Sequence, residues 1–275
     1  MQSIRPSAVA GTFYPHARQI LERDVGLLLE EARPKVGVVS PKALIVPHAG
    51  YIYSGPTAAI AYAQLAAARG KIRRVVLLGP VHRVPVRGLA LPGVRAFETP
   101  LGNVELDQAA IASITGMPQV LVSSAAHALE HSLEVQLPFL QTVLADFKLV
   151  PLAVGDATAA EVADVLDKLW GGEETLIVIS SDLSHFLPYY VAQSVDQETV
   201  QSILDLRGLI THEQACGGTP INGFLLTAER HHLRSQLLDY RNSGDTAGDK
   251  NRVVGYASIA FMESAAFMEG MQYAH

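Results

Sequence analysis

Four short segments of this chain carry side chains suited to holding a metal ion or moving a proton. His48 follows the apolar run Ala43–Pro47, His82 follows Arg74–Gly79, and Asp182 and His185 follow Thr175–Ile179. Each group stands where a buried strand gives way to a loop, which is where open α/β sheets bind their ligands. Leaving imidazoles and a carboxylate at the ends of apolar strands is unfavourable unless they serve one site. If the three ends share a sheet edge, the side chains converge. Cys216 is the fourth candidate. Gly217 and Gly218 follow it and permit close backbone approach, which is not the setting of a core cysteine. Two imidazoles and a thiolate suit copper, zinc or iron, the thiolate favouring the softer ions. Asp182 is placed to orient His185 or His82 as a hydrogen-bond acceptor. His185, if it is not a ligand, has the chemistry of a general acid–base near neutral pH.

Other residues bear on the same pocket. Tyr51 and Tyr53 follow His48 directly and are expected to line it. His131, in EHSLEVQLP, lies three residues before Glu134 and reads either as a pocket group or as a half-buried helix histidine held by that carboxylate. The surroundings of His16, His127, His212, His231, His232 and His275 require no site. Ser180 and Ser181 before Asp182 raise a serine hydrolase, but the chain has no Gly-x-Ser-x-Gly elbow. It has no Gly-x-Gly-x-x-Gly or Walker loop either, so nothing supports a nucleotide site.

The elements that must position these groups alternate between buried strands and helices. Ala43–Pro47, Arg74–Gly79, Phe147–Gly155, Thr175–Asp182 and Val253–Phe261 read as strands, with Val86–Gly93, Pro118–Ser123 and Ser235–Arg241 as further candidates. Helices are expected over Ile20–Ala32, ended by Arg33–Pro34, from Gly55–Pro56 with proline at the first position, and from Asp107. Further helices are expected from His127 with a kink or a break at Pro138, over Ala157–Trp170, Pro188–Leu206 and Gly223–Arg230, and briefly over Thr211–Ala215. Phe13–Tyr14 is a buried aromatic pair in an N-terminal loop, Phe97–Asp107 is turn-rich, and the tail after Phe261 is at best amphipathic. This order predicts a three-layer α/β/α fold with a central, mostly parallel or mixed sheet, and one domain over 1–275.

The chain has 275 residues, 49% of them hydrophobic, ample for a large core. Its formal net charge is −6, and no basic run exceeds Lys71–Arg74, so no nucleic-acid partner is expected. Neither a signal peptide nor an apolar run approaching a membrane span is evident. A single cysteine forbids an internal disulfide and fits a reducing, cytoplasmic setting.

VPHAGYIYSG, LLGPVHR, EHSLEVQLPFLQ, SSDLSHF, CGGTPI and VVGYAS, in this order, resemble the signature blocks of the Memo family. SAVAGTFYP resembles that family's opening, and the likeness runs from Arg5 to Phe261. It implies a fold like the class III extradiol (LigB-type) non-haem iron dioxygenases. By the same resemblance His48, His82 and Cys216 match the metal ligands, and Asp182 and His185 match the neighbouring acid and histidine of the pocket. Cysteine replaces the dioxygenases' glutamate, which argues against ring cleavage. Family members are described as mediators of cell motility, binders of phosphotyrosine peptides and copper- or iron-dependent redox proteins, and microbial ones are linked to a radical-SAM protein.

Three readings stand at this point. The first is an iron- or copper-dependent redox enzyme acting on a small molecule or peptide, with His185 and Asp182 catalytic. The second is a zinc hydrolase on His48, His82, Asp182 and His185. The third is a binding protein that kept an old pocket, capturing a peptide or small anion between Tyr51, Tyr53, His131 and His185.

Overall fold

The structure, a computed structural model, describes residues 4–32 and 40–263. The strands are β1 (Ile4–Arg5), β2 (Ala43–Val46), β3 (Arg74–Pro80), β4 (Leu89–Leu91), β5 (Ala96–Thr99) and β6 (Gly102–Glu105), then β7 (Val120–Val122), β8 (Lys148–Val154), β9 (Thr175–Ser180), β10 (His185–Leu187), β11 (Leu233–Asn242) and β12 (Val253–Glu263). The helices are α1 (Arg18–Glu31), α2 (Tyr51–Ala63), α3 (Gln108–Ile114), α4 (Ser124–Ala128), α5 (Leu137–Val143), α6 (Ala159–Leu169), α7 (Tyr189–Leu204) and α8 (Gly218–Arg230).

Nine of the described strands form one mixed sheet in the order β10-β12-β2-β9-β3-β8-β4-β7, with β11 also on β12. Its centre, β2-β9-β3-β8, is parallel, and antiparallel pairs flank it at β12/β2 and β8/β4. Alternate residues of the central strands enter opposite cores. Leu44, Val46, Val75 and Leu77 pack with Leu21, Val25, Tyr62 and Phe139 of α1, α2 and α5. Ala43, Ile45, Val76 and Leu78 pack with Leu166, Ile203 and Phe224 of α6, α7 and α8. This two-residue alternation between helical layers is what makes the fold a three-layer α/β/α arrangement. Complete burial of β2 and β9 explains their unbroken apolar runs.

Several elements differ from their sequence reading. Helix α2 begins at Tyr51, and Pro56 lies inside it. Gly50 leads into the helix, and the Tyr53 and Ser54 amides donate to its carbonyl, so the turn is closed before the proline is reached. The expected helix from His127 is interrupted earlier, between α4 and the 3₁₀ turn Glu134–Gln136, and of the kink or break expected at Pro138 there is no kink: the proline sits in the first turn of α5. The turn-rich stretch after Phe97 is the β5–β6 hairpin, whose Thr99↔Gly102 pairing leaves only two residues to reverse the chain. Thr211–Ala215 is a single turn, closed by the Gln214 and Ala215 amides on the Thr211 carbonyl, and α8 starts at Gly218 with Pro220 tolerated in its first turn. Helix α1 ends at Glu31. Arg33–Pro34, the tail after Glu263 and His275 fall outside the described residues.

Candidate metal centre

Parallel pairing fixes where the polar groups arrive. Val46 pairs with Ser180 and Leu78 with Ile179, so β2, β9 and β3 end together. His48, Asp182 and His82 each lie two residues beyond their strand's end, on one edge. Cys216 reaches the same edge from the turn before α8. The Gly217 amide donates to Ser181 Oγ (2.9 Å), and a Cβ on Gly217 would lie 2.6 Å from the Ser181 Cβ. Only glycine brings the cysteine this close to β9.

Three imidazoles cluster at this edge. The ring centroids of His48 and His82 are 5.3 Å apart, those of His48 and His131 5.3 Å, and those of His82 and His131 4.6 Å. One nitrogen from each of the three lies within 4.8 Å of the others, the metal-capable grouping found among the described residues. Cys216 Sγ lies 3.3 Å from His48 Nε2, beside that triad.

The hydrogen bonds behind the rings fix which nitrogens are bare. Gln136 Nε2 donates to the Pro47 carbonyl (2.9 Å) and to Ser180 Oγ (2.8 Å). Ser180 Oγ spends its one proton on the Ser132 carbonyl (2.6 Å). The third contact of that oxygen, His48 Nδ1 at 2.9 Å, must therefore be an N–H donor, and His48 Nε2 keeps its lone pair. His82 Nδ1 donates to Glu130 Oε1 (2.9 Å), so in the neutral ring Nε2 is bare as well. The same carboxylate accepts the His82 amide (2.6 Å) and the Ser132 amide (2.9 Å), and stands 3.4 Å from His131 Nδ1. Carboxylate or hydroxyl acceptors behind histidines, with the opposite nitrogens bare, are the arrangement that presents imidazoles to a metal ion.

Charge follows this pattern. Burial, then the neighbouring His82, pushes His48 down to about 3. Burial, then His48, lowers His131 to about 4. For Glu130, burial opposes ionisation, but the His82 hydrogen bond and charge and the two amides overcome it and hold it down to about 2. Glu130 is an anion, and His48 and His131 are neutral. Burial, then the charge of Asp182, raises the Cys216 thiol to about 12, so without a metal it is protonated.

The expected site residues fall into distinct places. Asp182, expected behind a histidine ring, instead accepts the His48 amide on Oδ1 (2.7 Å), and burial raises its pKa. Its carbonyl accepts the Cys216 amide (3.2 Å), so Asp182 ties two segments of the site together. His185 opens β10 close enough to both Asp182 and His48 for their charges to interact. His131 stands within the imidazole cluster, under the Phe13 ring (centroids 4.7 Å apart). Tyr51 is a core residue whose hydroxyl donates to the Val135 carbonyl (2.7 Å), while Tyr53 is part-exposed beside Gly50. Glu130 escaped the sequence reading, because a glutamate in a helix-periodic run resembles a solvated face. Its immediate neighbour, the candidate histidine His131, was the available signal.

A model of the family described as Memo-like protein matches residues 5–260. The chain belongs to the Memo family. It is 36% identical to a MEMO1 family protein of Ignicoccus hospitalis, covering 94% of this chain and 98% of that one. It is also 36% identical to one of Aquifex aeolicus (94% and 99%) and to one of Methanosarcina barkeri (93% and 99%). An uncharacterized Escherichia coli K12 protein of known crystal structure overlays 80% of this Memo chain and 98% of its own, with a TM-score of 0.47 and 16% identity. No described helix of the Memo chain is long and apolar enough to cross a membrane.

Proposed function

We propose that this Memo family chain is a metal-dependent redox enzyme whose ion, iron or copper, is held by His48 and His82 with Cys216, and with His131 at the same cluster. The observation that carries the reading is the pair of bare Nε2 atoms, held so by Ser180 and Glu130, with a thiol 3.3 Å from one of them. A thiolate beside imidazoles selects softer, redox-capable ions over magnesium or calcium. A redox-active ion bound there supplies electron transfer to a small molecule or peptide in the pocket. The chain's own part is to hold the donors in place, to cover the cluster with Phe13, and to take up or release a proton at the His185 imidazole. Asp182 positions His48 and Cys216 through their backbones.

The test is metal analysis of untagged protein prepared with and without oxygen in iron- and copper-replete medium. About one iron or copper per chain is expected, falling most of the way to zero in His82→Ala and losing its thiolate charge-transfer absorption in Cys216→Ser. Protein that stays metal-free under all these conditions sinks the proposal. The three-imidazole grouping supports a second reading, since three histidines are also the donor set of water-activating zinc. Zinc retained at full occupancy in Cys216→Ser, with hydrolysis of an ester or amide, would favour it over the first.

A further inference from the structure

Behind His185, away from the imidazole cluster, lies a second buried acid. Asp196, on α7, is fully buried. Its Oδ1 accepts the Ser184 amide (3.0 Å), while Oδ2 completes no hydrogen bond. Burial raises its pKa, opposed by the Ser184 amide and hydroxyl, by the charge of His185 and by the Tyr240 hydroxyl. The Ser184 and Tyr240 hydroxyls are themselves buried without a completed bond. A carboxylate kept in such a place needs a reason beyond packing, because hydrocarbon of the same shape would avoid its desolvation.

The backbone around it supplies that reason. Leu183 donates to the Gly255 carbonyl (2.8 Å) and Gly255 donates to the Ser184 carbonyl (2.9 Å), so β12 holds this segment from one side. Asp196 holds it from the other, packed so closely on Gly255 that a Cβ there would lie 2.0 Å from Oδ2. Immediately beyond, the pairing of β10 with β12 shifts register between His185 and Leu187, and Phe186 adopts a φ of 61°. A bulky residue in the left-handed region is strained, by about 1–3 kcal/mol, and bulges beside active sites re-aim side chains. Phe186 is 60% exposed, so burial of the residue does not offset this strain.

We propose that Asp196 is a positioning residue for His185, hooking the Ser184 amide and clamping the bulged start of β10 against Gly255 so that the imidazole is held beside the three-histidine cluster. The proposal rests on the reading of His185 as the proton-moving group of that site.

Histidine ring resonances of metal-free protein test it, with His127 and His231, outside the site, as internal references. Asp196→Asn keeps an acceptor for the Ser184 amide and gives its nitrogen to the adjacent hydroxyls, so the His185 signals should stay near their wild-type positions. Asp196→Ala removes the hook and should shift and broaden the His185 signals while the references stay fixed. Gly255→Ala, which must displace the carboxylate, should reproduce the alanine spectrum. Where Asp196→Ala does not fold, Asp196→Ser, too short to reach the amide, takes its place. Folded Asp196→Ala or Gly255→Ala protein with unmoved His185 signals overturns the proposal, as does an asparagine variant as disrupted as the alanine. Because these spectra need no metal, failure of the wild-type protein to bind cobalt would count against the metal reading alone.

Discussion

At the scale of single residues, Glu130 does more than its position suggests. One carboxylate accepts hydrogen bonds from the His82 Nδ1–H, the His82 amide and the Ser132 amide, and so fixes both the orientation of His82 and the loop that carries His131. Replacing acceptors of this kind behind metal-binding histidines typically weakens binding about 10–100-fold. Glu130→Gln should therefore weaken cobalt or zinc binding by about that factor in a competitive chelator titration. Affinity within about twofold of wild type would show that Glu130 serves the fold only. Sequence singled out His48, His82, Asp182 and His185 because each follows an apolar run, and Cys216 because two glycines follow it, features visible without coordinates. Glu130, Ser180 and Gln136 were not legible in this way. Their importance lies in which atom faces which, and periodicity records only which face of an element is apolar.

At the scale of elements, the interrupted helix between α4 and α5 shows how the site is built from a stretch that reads as continuous helix. Leaving the helix at Leu129 frees Glu130, His131 and Ser132 to face β3 and β9, and the break is secured by the N-terminal segment. Glu134, fully buried just after it, accepts the Arg5 guanidinium (2.6 Å), the Ala8 and Val9 amides (2.7 and 3.0 Å) and the Tyr14 hydroxyl (2.6 Å). Removing one partner of a buried ion pair leaves the other charge uncompensated, at about 3–5 kcal/mol. Glu134→Ala should lose about that much in urea unfolding, and it should uncover His131 because Phe13 belongs to the same segment. A loss below about 1 kcal/mol would mean that the pair is no better than a surface one. A second prediction belongs to the α8 turn. Gly217→Ala forces Ser181 and the turn apart, so it should remove the thiolate absorption of the metal-loaded protein as Cys216→Ser does, with the thiol still present. The central strands were legible because burial on both faces writes an unbroken apolar run. The β5–β6 hairpin and β10 were not: the hairpin strands are short and carry exposed residues with little apolar pattern, and β10 is three residues long and defined by a partner, β12, distant in sequence.

At the scale of the whole molecule, buried neutral histidines make the metal-free fold sensitive to acid. His127, outside the cluster, donates Nε2–H to the Ala90 carbonyl (2.7 Å), and burial holds its pKa down to about 4. The unfolded chain protonates this ring near 6.5, so between there and pH 4 the unfolded state binds more protons and stability falls as pH falls. His127 alone should contribute a loss of roughly 2 kcal/mol between pH 7 and pH 5, with His48 and His131 acting in the same direction. Urea unfolding at the two values, compared with His127→Gln, measures that share; a variant as acid-sensitive as wild type would refute it. The ring tautomers have one more consequence, in the proton count of metal uptake. Neutral His48 and His82 rings bind an ion through Nε2 without losing a proton, and Glu130 is already ionised, so ligation by neutral rings releases nothing to solvent. The Cys216 thiol is the one group described here that must give up a proton to become a ligand. Calorimetric titrations of the same metal in buffers of different ionisation enthalpy would therefore report about one proton released per ion if sulfur binds, and none if the histidines act alone.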